Sequence, residues 1–360
     1  MDDATLRTNE ILYLSRGELG HVAPGAASVA CSWGGRIILG GGELGNQLRP
    51  SLQKNEREAP AFADELQIPV ETANGAVTVL AAMHNFLVIG CERGIYIVNG
   101  DGPGNTGAGE AWPAPQLITT DMGMLDARSV VLTPAGLIFK TPGKGIQMLT
   151  ASLGIDFVGN DVTQFDGEEI TSAVMMPDSQ TVRFLCASGI TLVYDYFFKQ
   201  WSVSTFGGVD ADLYGGRYVY ARSDGKVRKE DPTIFTDATV NYSLKVRIGW
   251  LHDKVQQGYF RCRRVAVLGE KRSGHRLNLT TYYDYRGDLP STPQRFTEGA
   301  ADGLPFQARF GMARQRGQAI TWEISDDTWT GTGEGPLLTE MTVEIGTKTG
   351  IARLPASRSL

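Results

Sequence analysis

Positive charge gathers in one part of this sequence. Lys245 to Arg276 holds nine basic residues against two acidic ones, Asp253 and Glu270. Guanidinium and ammonium groups at that density suit docking on an acidic neighbour or transient contact with phosphate. The residues that would make such contact are Lys245, Arg247, Arg261, Arg263, Arg264, Lys271 and Arg272. On the two-residue period of a strand, Arg261 and Arg263 share a face and Arg264 is expected on the other. Aromatic residues are not interleaved for base stacking, which argues against specific nucleic-acid recognition. The plain alternative is a solvated face.

Other chemistry is thinner. Asp284, Asp288, Asp326, Asp327 and Glu334 fall in presumed loops. A glycosidase needs only two carboxylates about 5–9 Å apart, but solvated loops or a weak calcium site account for such residues as well. Asp326-Asp327-Thr328-Trp329 has the make-up of a sugar platform, or of a tryptophan packed at a loop base. His21, His84, His252 and His275 form no H-x-H or H-x-x-x-H pair, so a histidine zinc site is not expected. Gly40-Gly41-Gly42-Glu43-Leu44-Gly45 matches G-x-G-x-x-G, yet Pro50 closes the segment where a helix should follow, so it reads as a turn. Gly100 to Gly107 lacks the Lys-Ser/Thr of a P-loop and reads as a long, exposed, mobile loop. Cys31, Cys91, Cys186 and Cys262 lie far apart in apolar or strand-like runs, the setting of buried free thiols. No cofactor, metal site or catalytic residue is assigned from these patterns, and the chain is not expected to be an enzyme.

The elements that would carry these residues are strands. Short apolar runs recur between Gly, Asn, Asp and Pro clusters, and helical periodicity is nearly absent. Ile38, Val88, Ile138, Phe184 and Val219 are spaced by 50, 50, 46 and 35 residues, each within a second strand of a repeating unit. Units of that length with three or four strands are β-propeller blades. About four to five units are expected, with the first incomplete, and Trp201 on the outer fourth strand of its blade. From Tyr242 the strands lengthen: Leu244–Leu251, Tyr259–Leu268, Arg276–Tyr285, Phe306–Met312, Ala319–Ile324 and Leu337–Ile345. Several alternate apolar and polar residues, as a β-sandwich of jelly-roll type requires. The reading is all-β: propeller-like repeats over 1–241, a sandwich over 242–347 and a tail over 348–360. Charge follows the same division, with a net −11 over residues 1–244 and +5 over 245–360. No apolar stretch approaches the ~18–20 residues of a membrane helix. Acidic residues at Met1–Thr5 replace the positive start of a signal peptide, so synthesis and folding in a cytoplasm are expected.

Certain segments carry a family resemblance. Ser129 to Lys140 with Lys144-Gly145-Ile146 is followed by Val193-Tyr194-Asp195-Tyr196 and Gln200-Trp201-Ser202. Then come Tyr220 to Val227, a strand pair within Trp250–Val267, and Gly331-Thr332-Gly333-Glu334-Gly335. In this order they resemble the tail nozzle, or tail stabilisation, proteins of short-tailed bacteriophages, over roughly residues 75–360. The resemblance implies a structural virion protein made in the host cytoplasm and placed in the tail. It implies a homohexameric ring below portal and adaptor, in contact with other tail proteins, with DNA passing non-specifically through the channel during ejection. It transfers no catalytic residue. Family members are longer before the first recognisable blade, which suggests a reduced N-terminal part or a separate polypeptide that supplies it. A carbohydrate- or receptor-binding module is the alternative, and a glycan hydrolase a more distant one, because fold alone does not separate them.

Overall fold

A strand with apolar residues on both faces needs a neighbour on both sides, and the first half of this protein is built on that demand. The computed structural model describes residues 17–53, 59–236, 243–252, 259–274, 276–297, 303–327 and 333–348. At Tyr259, Phe260, Thr297, Asp327, Thr347 and Lys348 the description is of backbone alone. The chain divides into two units, Met1–Glu230 and Asp231–Leu360.

The first unit is a succession of antiparallel meanders. Strands β1 to β4 (Val29–Trp33, Arg36–Gly40, Gln47–Pro50, Ile68–Pro69) form one sheet, and β5 to β8 (Val77–Met83, Phe86–Cys91, Ile95–Asn99, Gln116–Thr119) the next. A third comprises β9 to β12 (Val131–Thr133, Gly136–Thr141, Gly145–Thr150, Ile155–Phe157), a fourth β13 to β16 (Ile170–Met176, Thr181–Cys186, Thr191–Asp195, Gln200–Ser204). The fifth has only β17 to β19 (Asp210–Tyr214, Arg217–Ala221, Val227–Lys229). These are propeller-like blades. Among the described residues the first sheet has four strands and the last has three, so the shorter blade there lies at the opposite end from the one expected.

Alternation explains how blades hold together. In the second blade Leu87, Ile89, Tyr96 and Val98 join a core with Ile38 and Leu48 of the first. Their neighbours Val88, Ile95 and Ile97 point the other way, into a core with Leu137, Phe139 and Leu149 of the third. Ile138, Ile146 and Met148 of the third meet Val182, Phe184 and Leu192 of the fourth. Val174, Met176 and Leu185 of the fourth meet Tyr218 and Tyr220 of the fifth. Each fully buried Leu, Ile or Phe stabilises by roughly 1.5–3 kcal/mol, and these shared cores make each blade depend on the blade beside it. Among the described residues no core cluster joins the fifth blade to the first. The fifth blade's other face carries Asp210, Asp212, Tyr214 and Arg217, all exposed, as a terminal capping repeat does.

Trp201 sits on the fourth strand of its blade, where it donates to Val158 O at 2.7 Å and packs on Tyr194. The Gly100–Gly107 loop departs from expectation. Pro103 in it is buried, and its carbonyl accepts from the Arg36 guanidinium. Asn105 exchanges side-chain hydrogen bonds with the Gln53 backbone at 2.7 and 3.2 Å. The loop is tied to the first blade because Arg36, 1% exposed, divides its guanidinium donors between Ser51 O and Pro103 O.

In the second unit the strands are longer. Strands β20 (Lys245–Arg247), β21 (Leu251–His252), β23 (Arg276–Tyr283), β24 (Gln294–Thr297) and β27 (Ala319–Asp327) make one sheet. The other contains β22 (Tyr259–Glu270), β25 (Pro305–Gly311), β26 (Arg316–Gly317) and β28 (Leu337–Lys348). Both β20 and β21 pair with β27, and both β25 and β26 pair with β22, so each couple is one interrupted edge. The two sheets enclose Val265, Val267, Phe306, Phe310, Leu277, Leu279, Trp322 and Ile324. Among the described residues their strand order is that of a jelly roll without its first strand. The expected strand to Tyr285 stops at Tyr283, because a turn with φ of 56° and 60° at Asp284 and Tyr285 follows. The expected tail begins one residue inside β28, and residues 349–360 lie outside the described set.

Candidate functional site

The seven basic residues singled out in the sequence are divided by the sandwich. Lys245 and Arg247 lie opposite Ser325 and Glu323 on the outer face of the five-stranded sheet. Lys245 pairs with Glu323 at 3.2 Å, and the Arg247 guanidinium lies 4.0 Å from the Tyr282 ring centroid. Lys271 and Arg272 are at the turn after β22, where Arg272 pairs with Glu270 at 3.0 Å. Arg261, Arg263 and Arg264 are on β22, in the other sheet. One continuous patch of seven does not form, because consecutive strands of a sandwich feed different sheets.

Arg264 also departs from the two-residue period. Cys262 and Val265 are both buried although three positions apart, which strict alternation forbids. The register on β28 shifts between Cys262 and Arg264, and this bulge leaves Arg263 and Arg264 both exposed. Arginines that the sequence reading did not collect join them. Arg309 is opposite Ala266, and Arg316 is directly opposite Arg261. Arg309 was legible in the alternation of Phe306, Ala308 and Phe310 against Gln307 and Arg309; its place beside β22 was not. Against these arginines stand Glu340 and Glu344 of β28, the latter 3.7 Å from Arg263.

Where the edge breaks between β25 and β26, Arg261, Ala313, Arg314, Gln315 and Arg316 line an open cleft of about 440 Å³. Arg314 is held in place: it donates to the Asp284 carboxylate and lies 4.5 Å from the Tyr283 ring centroid. The Tyr283 hydroxyl donates to Arg314 O, and burial pushes that phenol up to about 12. Arg261 donates to the Gln315 side-chain oxygen.

Beside Asp284 stands an aromatic group. Asp284 and Tyr285 occupy the two positive-φ positions of a turn closed by Arg286 N to Tyr283 O at 3.0 Å. Such a turn favours Asn-Gly or Asp-Gly, and a tyrosine there is strained. Tyr285 is 54% exposed, with Trp250 5.3 Å and His252 6.3 Å away between ring centroids.

The remaining candidates separate. Asp284 and Asp288 are at one end of β23, while Asp326 is opposite Leu277 at its other end. At about 3.3 Å per residue the two ends are roughly 23 Å apart, so Asp284 and Asp326 are no glycosidase pair. Glu334 is 3.9 Å from Arg272. The Asp327 side chain, Thr328, Trp329 and His275 lie outside the described residues. Among the described residues no three His, Cys, Asp or Glu side chains are grouped to hold a metal ion. Gly40–Gly45 leads into β3, not a helix, with Gly41, Gly42 and Gly45 at positive φ. All four cysteines are free; Cys31 is half-buried and the others are buried. Burial pushes the thiols of Cys91, Cys186 and Cys262 up to about 11. No helix among the described residues is long and apolar enough to cross a membrane.

No family model and no curated protein matches the chain. Among solved structures it is similar to BamB from Moraxella catarrhalis, at 13% identity and TM-score 0.35, over 59% of this chain and 56% of that one. A chain of a mitotic checkpoint complex gives 12% identity and TM-score 0.36, over 56% and 60%. An exo-β-1,3-galactanase from Phanerochaete chrysosporium gives 8% identity and TM-score 0.29, over 90% and 100%. The chain thus spans less than two thirds of the first two proteins, and likenesses this low bear on no activity.

Proposed function

We propose that this chain is a non-catalytic structural subunit of a short-tailed bacteriophage tail, assembled as a hexameric nozzle ring below the portal and adaptor. The observation that supports it most is the arginine-bearing outer face of the four-stranded sheet, where Arg261, Arg263, Arg264, Arg309 and Arg316 face two glutamates. That face suits an anionic partner within an assembly, while the acidic blades suit a wall along which DNA slides without sticking. In this reading the protein is made in the host cytoplasm and works in the virion tail. The test is solution mass alone and with the portal and adaptor of the same genome. A ring, or co-assembly with those proteins, is expected; a monomer that ignores them refutes the proposal.

A second reading has its own support in the aromatic group of Trp250, Tyr285 and His252, with the Arg247 guanidinium 5.9 Å from the Trp250 ring centroid. Exposed aromatic faces next to hydrogen-bonding groups suit a carbohydrate or receptor ligand. Glycan-array binding that is lost on Tyr285→Ala, in a monomeric protein, would favour it over the ring.

A further inference from the structure

We propose that the cleft at the break between β25 and β26 is a phosphate-binding site for a nucleotide chain, formed by Arg261, Arg314 and Arg316. The proposal rests on reading the arginine-bearing sheet as an anion-facing surface, and it names which anion and where. Arg261 and Arg316 are direct cross-strand partners in the register of β22 and β26. Like charges directly opposite one another destabilise a sheet, so an anion between them removes a cost that the protein otherwise bears. Arg314 supplies a third guanidinium to the same cleft.

The three are in different states of readiness. Arg314 is preset by Asp284 and by stacking on Tyr283, and its Nε donates to Arg316 O at 3.2 Å. Arg261 is steered by Gln315. Arg316 is exposed, and its guanidinium has no hydrogen-bond or ionic partner among the described residues. Among the described residues Asp284 is the one carboxylate bonded to a member of the trio; it takes Arg314 and the Gln318 amide, and neither Arg261 nor Arg316. The cleft therefore retains a surplus of positive charge.

Phosphate fits this better than the carboxylate of an acidic peptide. A carboxylate offers two oxygens in one plane and is matched by one guanidinium fork, whereas phosphate presents oxygens in several directions to several forks. The flank decides what the phosphate belongs to. Tyr285, next in the chain to the residue that clamps Arg314, is exposed with Trp250 and His252 beside it. Aromatic faces next to arginines are how bases of a single strand are stacked while its backbone is neutralised.

The experiment is fluorescence anisotropy of labelled oligothymidylate titrated with the full chain at several salt concentrations, with inorganic phosphate and oligoglutamate as competitors. Binding is expected, with phosphate competing and oligoglutamate competing poorly. Arg261→Gln and Arg316→Gln should each weaken binding about tenfold and reduce the salt slope by about 0.7. Arg309→Gln, on the same anion-facing sheet but outside the cleft, should weaken binding clearly less than either. Phosphate-dependent thermal stabilisation that R316Q abolishes, with no oligothymidylate binding, overturns the nucleotide chain as occupant and assigns the cleft to a small phosphate. Equal losses in R309Q and R316Q, stronger competition by oligoglutamate, or no binding of either phosphate probe would overturn the proposal. The tail reading fails separately, on ring formation: an intact ring without phosphate binding removes the cleft alone, and a phosphate-binding monomer removes the ring alone.

Discussion

Replacing Arg36 by Met tests how the first blade holds its long loop. The guanidinium is 1% exposed, donates at 2.8 Å to Ser51 O and also to Pro103 O, and lies 5.6 Å from the Trp112 ring centroid. Methionine fills much of the volume but donates nothing. Two buried carbonyls then lose their donor, at about 1–3 kcal/mol each, and about 1 kcal/mol of cation–π attraction is lost. An offset comes from removing a desolvated charge whose Nε has no partner, worth about 1–3 kcal/mol. The net expectation is a loss of about 2–4 kcal/mol in the first unit. Urea unfolding followed by tryptophan fluorescence reads the loss. Hydrogen exchange at the Leu19 amide, which donates to Asn105 O at 2.9 Å, reads release of the loop. A change under about 0.5 kcal/mol with Leu19 exchange unaltered would refute the view that Arg36 ties the loop down.

Further expectations concern thiols, turns and packing. Cys31 should label with maleimide in the native protein, whereas Cys91, Cys186 and Cys262 should label only on unfolding; their labelling at native rates would contradict their burial. Because burial raises those three thiols from 9.0 to about 11, the folded state keeps protons that the unfolded state loses above pH 9. Their contribution should be constant below pH 9 and fall as pH rises from 9 towards 11, by up to roughly 2–3 kcal/mol per thiol, read as a falling unfolding midpoint. Trp201→Phe should cost about 1–3 kcal/mol by leaving Val158 O without its donor, and a neutral result would mean water replaces the indole. Tyr285→Gly relaxes a φ of 60° but removes a stacked ring, so stability should stay within about 1 kcal/mol of wild type. Tyr285→Val should be less stable than Tyr285→Gly, since a β-branched residue is worse there; the reverse order in thermal melts would show that the turn carries no strain.

The strands and their faces were largely legible in the sequence, because period-two alternation and glycine-bearing turns are local properties of the chain. Ile38, Val88, Ile138, Phe184 and Val219 marked the second strand of each blade, and every one lies there. The Phe306 to Phe310 alternation likewise announced a strand with one face in a core. Which strand lies beside which was decided only in three dimensions. Lys245 and Arg247 left the basic group because β20 pairs with β27, while Arg316 entered it because β26 extends the edge of β25 along β22. The bulge at Arg263 and Arg264 arose from register against β28, a partner some 80 residues away that no local period can announce. The glycine-rich loop looked free because its anchor, Arg36, is 67 residues distant from Pro103. Local patterning sets which face of a strand is apolar; the long-range pairing of edges sets which charges become neighbours, and that is where the arginine cleft comes from.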